Sequence, residues 1–159
     1  DGRIAHFPVS QNSHENGILA RTVAPANIPS SLADQARQAT AAIADEVNLF
    51  GVLAVEFFVT SDGTLLFNEM APRPHNSFHW TIEGCASSQF TQLARVLAGL
   101  GCGNTSAYGR WQMDNLLGQH MQQVPDLLAT DGVHLHLYGK PDARTNRKMG
   151  HATRQLPES

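Results

Sequence analysis

The sequence predicts an α+β fold in which antiparallel hairpins alternate with packed helices. Two observations carry this. The apolar runs Val52 to Thr60 and Thr64 to Met70 flank the turn signal Ser61-Asp62-Gly63-Thr64, and Asp-Gly between such runs marks a hairpin. Stretches of helical period stand on either side, one opening at Pro29-Ser30-Ser31 and one spanning Ser87 to Gly99.

Taken in order, Ile4 to Val9 and Leu19 to Ala24 read as short strands around the polar turn Gln11 to Gly17. The first helix carries Ser31 and Asp34 in capping-box spacing and lays Leu32, Ala36, Ala39, Ile43 and Val47 along one face, which is expected to pack on the hairpin. The second is expected to bury Phe90, Leu93, Ala94 and Leu97 and to end near Gly99. Gly101 to Tyr108 reads as a passage to the next domain. Beyond it, Trp111 to Gly118 suits a strand or a short helix, and Val124 to Thr130 a short helix or turn starting near Pro125. Val133 to Tyr138 alternates as a strand. His134 and His136 share a face of it, and with no third ligand nearby they suit sheet packing and hydrogen bonding better than a metal. The expected division falls after residue 103, into 1–103, with the hairpin and packed helices, and 104–159.

Composition sets limits. The 159 residues are 42% apolar with a net charge of −3, which is enough for a core and gives no reason to expect nucleic-acid or membrane binding. No apolar run reaches transmembrane length and no signal-peptide pattern opens the chain, so a cytoplasmic protein is expected. Cys85 and Cys102 lack metal-ligand spacing and read as free or buried thiols.

The hairpin holds the first candidate chemistry. If Asp62 and Gly63 are the central residues of a type I′ turn, Thr60 pairs with Leu65 and Glu56 falls opposite Glu69. Directly opposed like charges destabilise a ladder by roughly 0.2–1 kcal/mol, so the pair makes sense with a hard divalent cation between the carboxylates. The other reading is one glutamate at a sheet edge and one in solvent. Past Glu69, Pro72 and Pro74 stiffen a loop that carries Arg73, His75 and Asn76. A guanidinium fork, an imidazole and an amide together suit an anionic substrate rich in hydrogen-bonding groups. Near the C-terminus, Lys140, Arg144, Arg147 and Lys148 make a positive loop, for which a solvated turn is the alternative.

The run Asn68-Glu69-Met70-Ala71-Pro72-Arg73-Pro74-His75-Asn76-Ser77, followed by His79-Trp80-Thr81, closely resembles the signature of the N5-carboxyaminoimidazole ribonucleotide synthetases, ATP-grasp ligases of purine biosynthesis. The resemblance continues through Glu83-Gly84-Cys85 and Ser88-Gln89-Phe90. Upstream it takes in Pro8-Val9-Ser10-Gln11-Asn12-Ser13-His14 and Gly17-Ile18-Leu19. Downstream it takes in His134 to Lys140 and Arg147-Lys148-Met149-Gly150-His151, similar to the family's C-terminal substrate-binding hairpin.

The resemblance implies the C-terminal part of an ATP-grasp domain followed by a small β-rich domain. It implies carboxylation of 5-aminoimidazole ribonucleotide with ATP and bicarbonate, through carboxyphosphate. Glu56 and Glu69 would hold Mg²⁺, with Mn²⁺ as an alternative, while His14, Asn68 and Glu69 would lie at ATP. Arg73, His75 and Asn76 would orient the imidazole ribonucleotide, with Arg73 and His75 catalytic and His75 the leading candidate for general base. Lys140 and Arg147 would grip its 5′-phosphate, and Arg144 stays a solvated residue.

The chain opens at Asp1-Gly2-Arg3-Ile4, and no Gly-rich phosphate loop with a lysine occurs in it; Gly101-Cys102-Gly103 does not fit one. It is therefore expected to be a fragment, inert alone, that lacks an N-terminal part; the resemblance implies a homodimer for the full protein. One departure is Phe78, where the family has glycine; if a positive φ is required there, the loop would be strained. Three alternatives stay open: a noncatalytic nucleotide-binding module, an enzyme like the formate-dependent glycinamide ribonucleotide transformylase, and a metal-dependent hydrolase. Asn76-Ser77 in place of Asp-Thr speaks against the second, and the lack of a His- or Asp-rich cluster against the third.

Overall fold

The computed structural model describes residues 2–157, so Asp1, Glu158 and Ser159, at the ends of the two expected domains, lie outside the described residues. Asn16 and Gly17 both take positive φ, 51° and 76°, which makes a tight hairpin between β1 (Gln11–Glu15) and β2 (Ile18–Ala24). The first strand is therefore the polar stretch that reads as a turn, and the turn is the Asn-Gly pair within it. Ile4 to Val9 forms no ladder; it is an extended segment pinned where Ala26 N donates to Val9 O at 2.7 Å and Thr105 Oγ1 to His6 O at 2.7 Å.

Helix α1 (Ser30–Glu46) follows. Its N-cap is Pro29, and no side chain caps it. The capping box expected from Ser31 and Asp34 is absent because Ser31 already lies inside the first turn; the Asp34 carboxylate accepts from Arg37 Nη1 at 2.6 Å instead. Leu32, Ala33 and Ala36 are buried, while Val47 is exposed. The helix does not close onto the hairpin of β3 (Ala54–Val59) and β4 (Leu65–Ala71). A cavity of about 530 Å³ separates them, lined by Leu32, Ala36 and Thr40 on one side and Ala54, Glu56 and Phe58 on the other.

The segment after β4 runs through a 3₁₀ turn (Asn76–Phe78), the short helix α2 (Thr81–Gly84) and helix α3 (Gln89–Leu97). Ser88 caps α3 by accepting from Thr91 N at 3.1 Å, and Gly99 follows its end at φ 71°. The inward face is polar: Gln89 and Gln92 are buried, whereas Phe90 and Leu97 are exposed. The expected apolar stripe is displaced because neighbouring loops need hydrogen-bond partners there; Gly103 N, for example, donates to Gln92 Oε1 at 2.8 Å.

Strand β5 (Arg110–Leu117), a 3₁₀ turn, helix α4 (Val124–Ala129), β6 (Val133–Leu137) and β7 (Lys148–Leu156) complete the chain. One antiparallel sheet of order β1-β2-β5-β7-β6 unites both ends of the sequence. Its β2–β5 ladder, Arg21↔Asp114 to Ala24↔Trp111, spans the expected division after residue 103. Alternation sorts the two faces. Thr22, Ala24, Trp111, Met113, Asn115, His151 and Thr153 are buried on one, while Asp114 accepts from Arg21 Nε at 2.5 Å and Arg154 Nη2 at 3.1 Å on the other. The core groups Leu19, Ala24, Trp111 and Met113 of the sheet with Trp80 and Cys85 of the α2 region, and Phe7 packs against it. Trp80 is fully buried, and its indole N–H donates to Ser10 Oγ at 3.1 Å. Both cysteines are free thiols. Among the described residues, no helix is long and apolar enough to cross a membrane.

Candidate metal and substrate site

Glu56 is the Cα partner of Glu69, as the hairpin pattern predicts. The route to that register differs from a two-residue turn. Gly63 N donates to Thr60 O and Thr60 N to Thr64 O, both at 3.0 Å, and the positive φ of 83° falls on Gly63. This is a three-residue loop with a glycine bulge. It pairs Val59 with Leu65, one step off; a second irregularity beside Glu56 leaves Asn68 unpaired and returns Glu69 to the position opposite Glu56.

The two carboxylates differ in setting. The Glu56 side chain is 11% exposed and that of Glu69 58%. Asn12 Nδ2 donates to Glu56 Oε1 at 2.9 Å, and Thr22 Oγ1 donates to Asn12 Oδ1 at 2.8 Å, so a chain of side chains from the large sheet aims Glu56. His14 Nε2 lies 3.9 Å from the other Glu56 oxygen.

His75 enters between the glutamates, with Nε2 3.4 Å from Glu69 Oε1 and Nδ1 3.7 Å from Glu56 Oε1. One ligand atom from each of the three residues fits within 4.8 Å of the others. Burial lowers the His75 pKa below the usual imidazole value; Glu56 and Glu69 oppose that shift, and Arg73 and Lys148 add to it. Ser77 Oγ lies 2.8 Å from Nδ1 and fixes the ring. Two carboxylates offer oxygen donors of the kind Mg²⁺ prefers, and the adjacent imidazole nitrogen is one that Mn²⁺ accepts more readily.

The remaining candidates surround this cluster. The Arg73 guanidinium is exposed and donates to Pro74 O at 3.0 Å. Asn76 Nδ2 is buried with no partner among the described residues, a donor available to a ligand. Asn68 lines the large cavity. Phe78 does not have positive φ; it closes the 3₁₀ turn and packs on Phe7 with ring centroids 5.9 Å apart, so the strain expected of a non-glycine residue there is absent. Lys140 Nζ donates to Lys148 O at 2.7 Å, and Arg147 Nη1 donates to Asp142 O at 3.1 Å. Arg144 pairs with the exposed Asp142 carboxylate at 3.1 Å.

Several residues of the site have no role assigned from the sequence. Asn12 and Ser77 fall inside the quoted motifs and Thr22 outside them, but what each does depends on partners distant in sequence or on a loop bend. Lys148 reads as one charge of a positive loop, yet it shares an electrostatic environment with Glu56, Glu69, Arg73 and Lys140. His136 Nε2 meets Glu83 Oε1 at 2.6 Å, and its ring stacks on His151 at 4.5 Å. Like His134, which faces the Trp111 ring at 6.0 Å, it serves packing.

Solved structures of known proteins superpose closely on this chain. The N5-carboxyaminoimidazole ribonucleotide synthetase from Thermus thermophilus does so with a TM-score of 0.90 at 41% identity, over 97% of this chain and 42% of that one. The Aspergillus clavatus N5-carboxyaminoimidazole synthase in complex with ADP and 5-aminoimidazole ribonucleotide gives 0.86 at 34%, over 96% and 43%. Among curated relatives, the N5-carboxyaminoimidazole ribonucleotide synthase of Brucella melitensis is 47% identical over 99% of this chain and 44% of its own length. The chain thus spans less than half the length of these relatives. Residues 112–157 match the phosphoribosylaminoimidazole carboxylase C-terminal domain. Residues 1–90 match the ATP-grasp domain, and the chain belongs to the ATP-grasp family.

Proposed function

We propose that the chain is the metal- and ribonucleotide-binding part of a ligase that carboxylates 5-aminoimidazole ribonucleotide on its exocyclic amine, using ATP and bicarbonate. The observation that carries this reading is the convergence of Glu56, Glu69 and His75 within reach of one another, in a chain similar throughout to N5-carboxyaminoimidazole ribonucleotide synthases.

In this reading a bicarbonate oxygen attacks the γ-phosphorus of ATP, ADP leaves, and carboxyphosphate forms. The amine nitrogen then attacks its carboxyl carbon, phosphate departs, and the nitrogen loses a proton. Glu56 and Glu69 hold Mg²⁺, which when bound neutralises phosphate charge and aligns the transfer. His14 and Asn68 stand on the nucleotide side, with Asn12 keeping Glu56 aimed. Arg73 and the free Asn76 amide orient the anionic and imidazole parts of the substrate, in place before charge moves. His75, kept neutral by burial, is able to take the amine proton. Lys140 and Arg147 receive the ribonucleotide phosphate on the β6–β7 loop.

The test is ADP formation dependent on both bicarbonate and 5-aminoimidazole ribonucleotide, in the whole protein that contains this chain and in its Glu69→Gln form. Activity in the parent that disappears in Glu69→Gln supports the assignment. An active parent indifferent to the change refutes the metal role, and an inactive parent turns the reading to a noncatalytic binding module.

A further inference from the structure

Gln89 lies at the first turn of α3, is only 4% exposed, and spends its whole side-chain amide on the loop that carries His75. His75 N donates to Gln89 Oε1 at 2.8 Å, and Gln89 Nε2 donates to His75 O at 2.9 Å. These are the two bonds a neighbouring strand would make, supplied by one side chain where β4 has ended at Ala71. The second Nε2 hydrogen points at His79 Nδ1, 2.9 Å away. The amide orientation is fixed by this set, since the reverse would set an NH₂ group against the His75 N–H. The Gln89 backbone N–H is itself anchored on Thr81 Oγ1 at 3.0 Å.

His79 extends the connection. Its ring stacks on His151 of β7 at 4.8 Å, and His151 stacks on His136 of β6 at 4.5 Å and meets the Tyr138 hydroxyl at 2.9 Å. Burial, with the neighbouring histidines, pushes His79 down to about 4 and His151 to about 3. His79 therefore stays neutral and keeps Nδ1 free to accept. One run of contacts thus joins the backbone of His75 to the strands on either side of the Lys140–Arg147 loop.

We propose that Gln89 is the positioning residue for His75: its buried amide holds both backbone polar groups of His75 and, through His79, ties that loop to His151 of the large sheet. Gln89 touches no substrate in this account. It sets where His75 and Arg73 stand relative to the β6–β7 loop. The inference rests on the role given to His75 above.

The experiment compares Gln89→Met, Gln89→Glu and His75→Ala in the whole ligase, reading kcat, KM for ATP, and thermal unfolding. Gln89→Met keeps length and removes all three bonds; its kcat is expected to fall roughly 10- to 100-fold, with KM for ATP within about 2-fold of the parent. Gln89→Glu keeps the acceptor for His75 N–H and is expected to fall between the two. A folded Gln89→Met with parental kcat, beside an inactive His75→Ala, overturns the positioning role and leaves the reading of His75 intact. A His75→Ala enzyme as active as the parent overturns both. If Gln89→Met does not fold, Gln89→Glu decides alone: a kcat loss at unchanged KM for ATP supports the proposal, and parental kcat refutes it.

Discussion

Glu69 faces Glu56 because a bulge at Asn68 cancels a register shift introduced at the hairpin loop. Without the bulge, the one-residue offset would turn Glu69 to the opposite face of the ladder, and the carboxylates would never meet. The pairing expected from the Asp-Gly signal is correct, although two irregularities produce it where none was expected.

That geometry sets the first expectation. Glu56→Gln and Glu69→Gln should each weaken Mg²⁺ binding by at least about 10-fold, since each removes a charged oxygen ligand. Glu56 is the better fixed of the two, held by Asn12, and its replacement should be the more damaging. Calorimetric titration with Mg²⁺, or Mn²⁺ paramagnetic resonance, measures this directly; unchanged binding in both variants would sink the site.

Asn12 tests the support behind the ligand. Its amide bridges Thr22 of β2 to Glu56 of β3, and Asn12→Ala leaves a largely buried carboxylate with neither a donor nor a fixed rotamer. Metal affinity is expected to fall roughly 10- to 100-fold with the fold intact, as read by the same titration beside a circular dichroism melt. A loss of folding without a change in binding by the folded fraction would contradict the role.

Acid should loosen the histidine stack. His79 and His151 have folded pKa values of about 4 and about 3 against an ordinary 6.5, so the unfolded chain binds protons that the folded chain refuses. The stability they contribute is complete above about pH 6.5 and is lost as pH falls towards 3–4. Within that window, uptake of two protons on unfolding gives a slope of up to about 3 kcal/mol per pH unit. His75 and His6, also lowered by burial, act in the same direction. Denaturant unfolding across pH 4.5 to 7.5 reads the slope, and His151→Phe, which keeps a stacking ring, should remove about one proton from it. Flat stability across the range would refute the assignment.

Periodicity and turn chemistry made the β3–β4 hairpin, both longer helices and β6 legible, because each of these rests on local spacing; the 111–118 segment reads equally as strand or helix, and the start of β7 reads as a charged loop. The hairpin and the run Asn68 to Ser77 point to Glu56, Glu69 and His75, which the fold brings together. Gln11 to Glu15 is polar enough to pass for a loop, and only the Asn16-Gly17 turn, a local signal, marks it as the partner of β2. The rest of what stayed hidden depends on contacts distant in sequence. The inward face of α3 carries Gln89 and Gln92 because loops on either side need donors and acceptors, a demand that no apolar pattern records. Lys148 reads as surface charge until β7 brings it towards the glutamates of another sheet.

Gly118 connects the end of β5 to the loop proposed to hold the ribonucleotide phosphate. Its N–H donates to Arg147 O at 2.9 Å, and the approach is so close that an added Cβ would lie 2.0 Å from Arg144 O and 2.6 Å from Ala143 O. Both obstacles are backbone, so no side-chain rotation relieves them. Gly118→Ala must therefore push the 143–147 segment outward, at a cost of about 1–3 kcal/mol in stability, and carry Arg147 with it. If that segment grips the phosphate, KM for 5-aminoimidazole ribonucleotide rises several-fold while KM for ATP, whose proposed contacts lie on β1 and the β3–β4 hairpin, stays put. Steady-state kinetics at varied ribonucleotide concentration separates the two constants. A variant that loses stability yet keeps both KM values would show that the loop buttresses the sheet and does not bind the substrate.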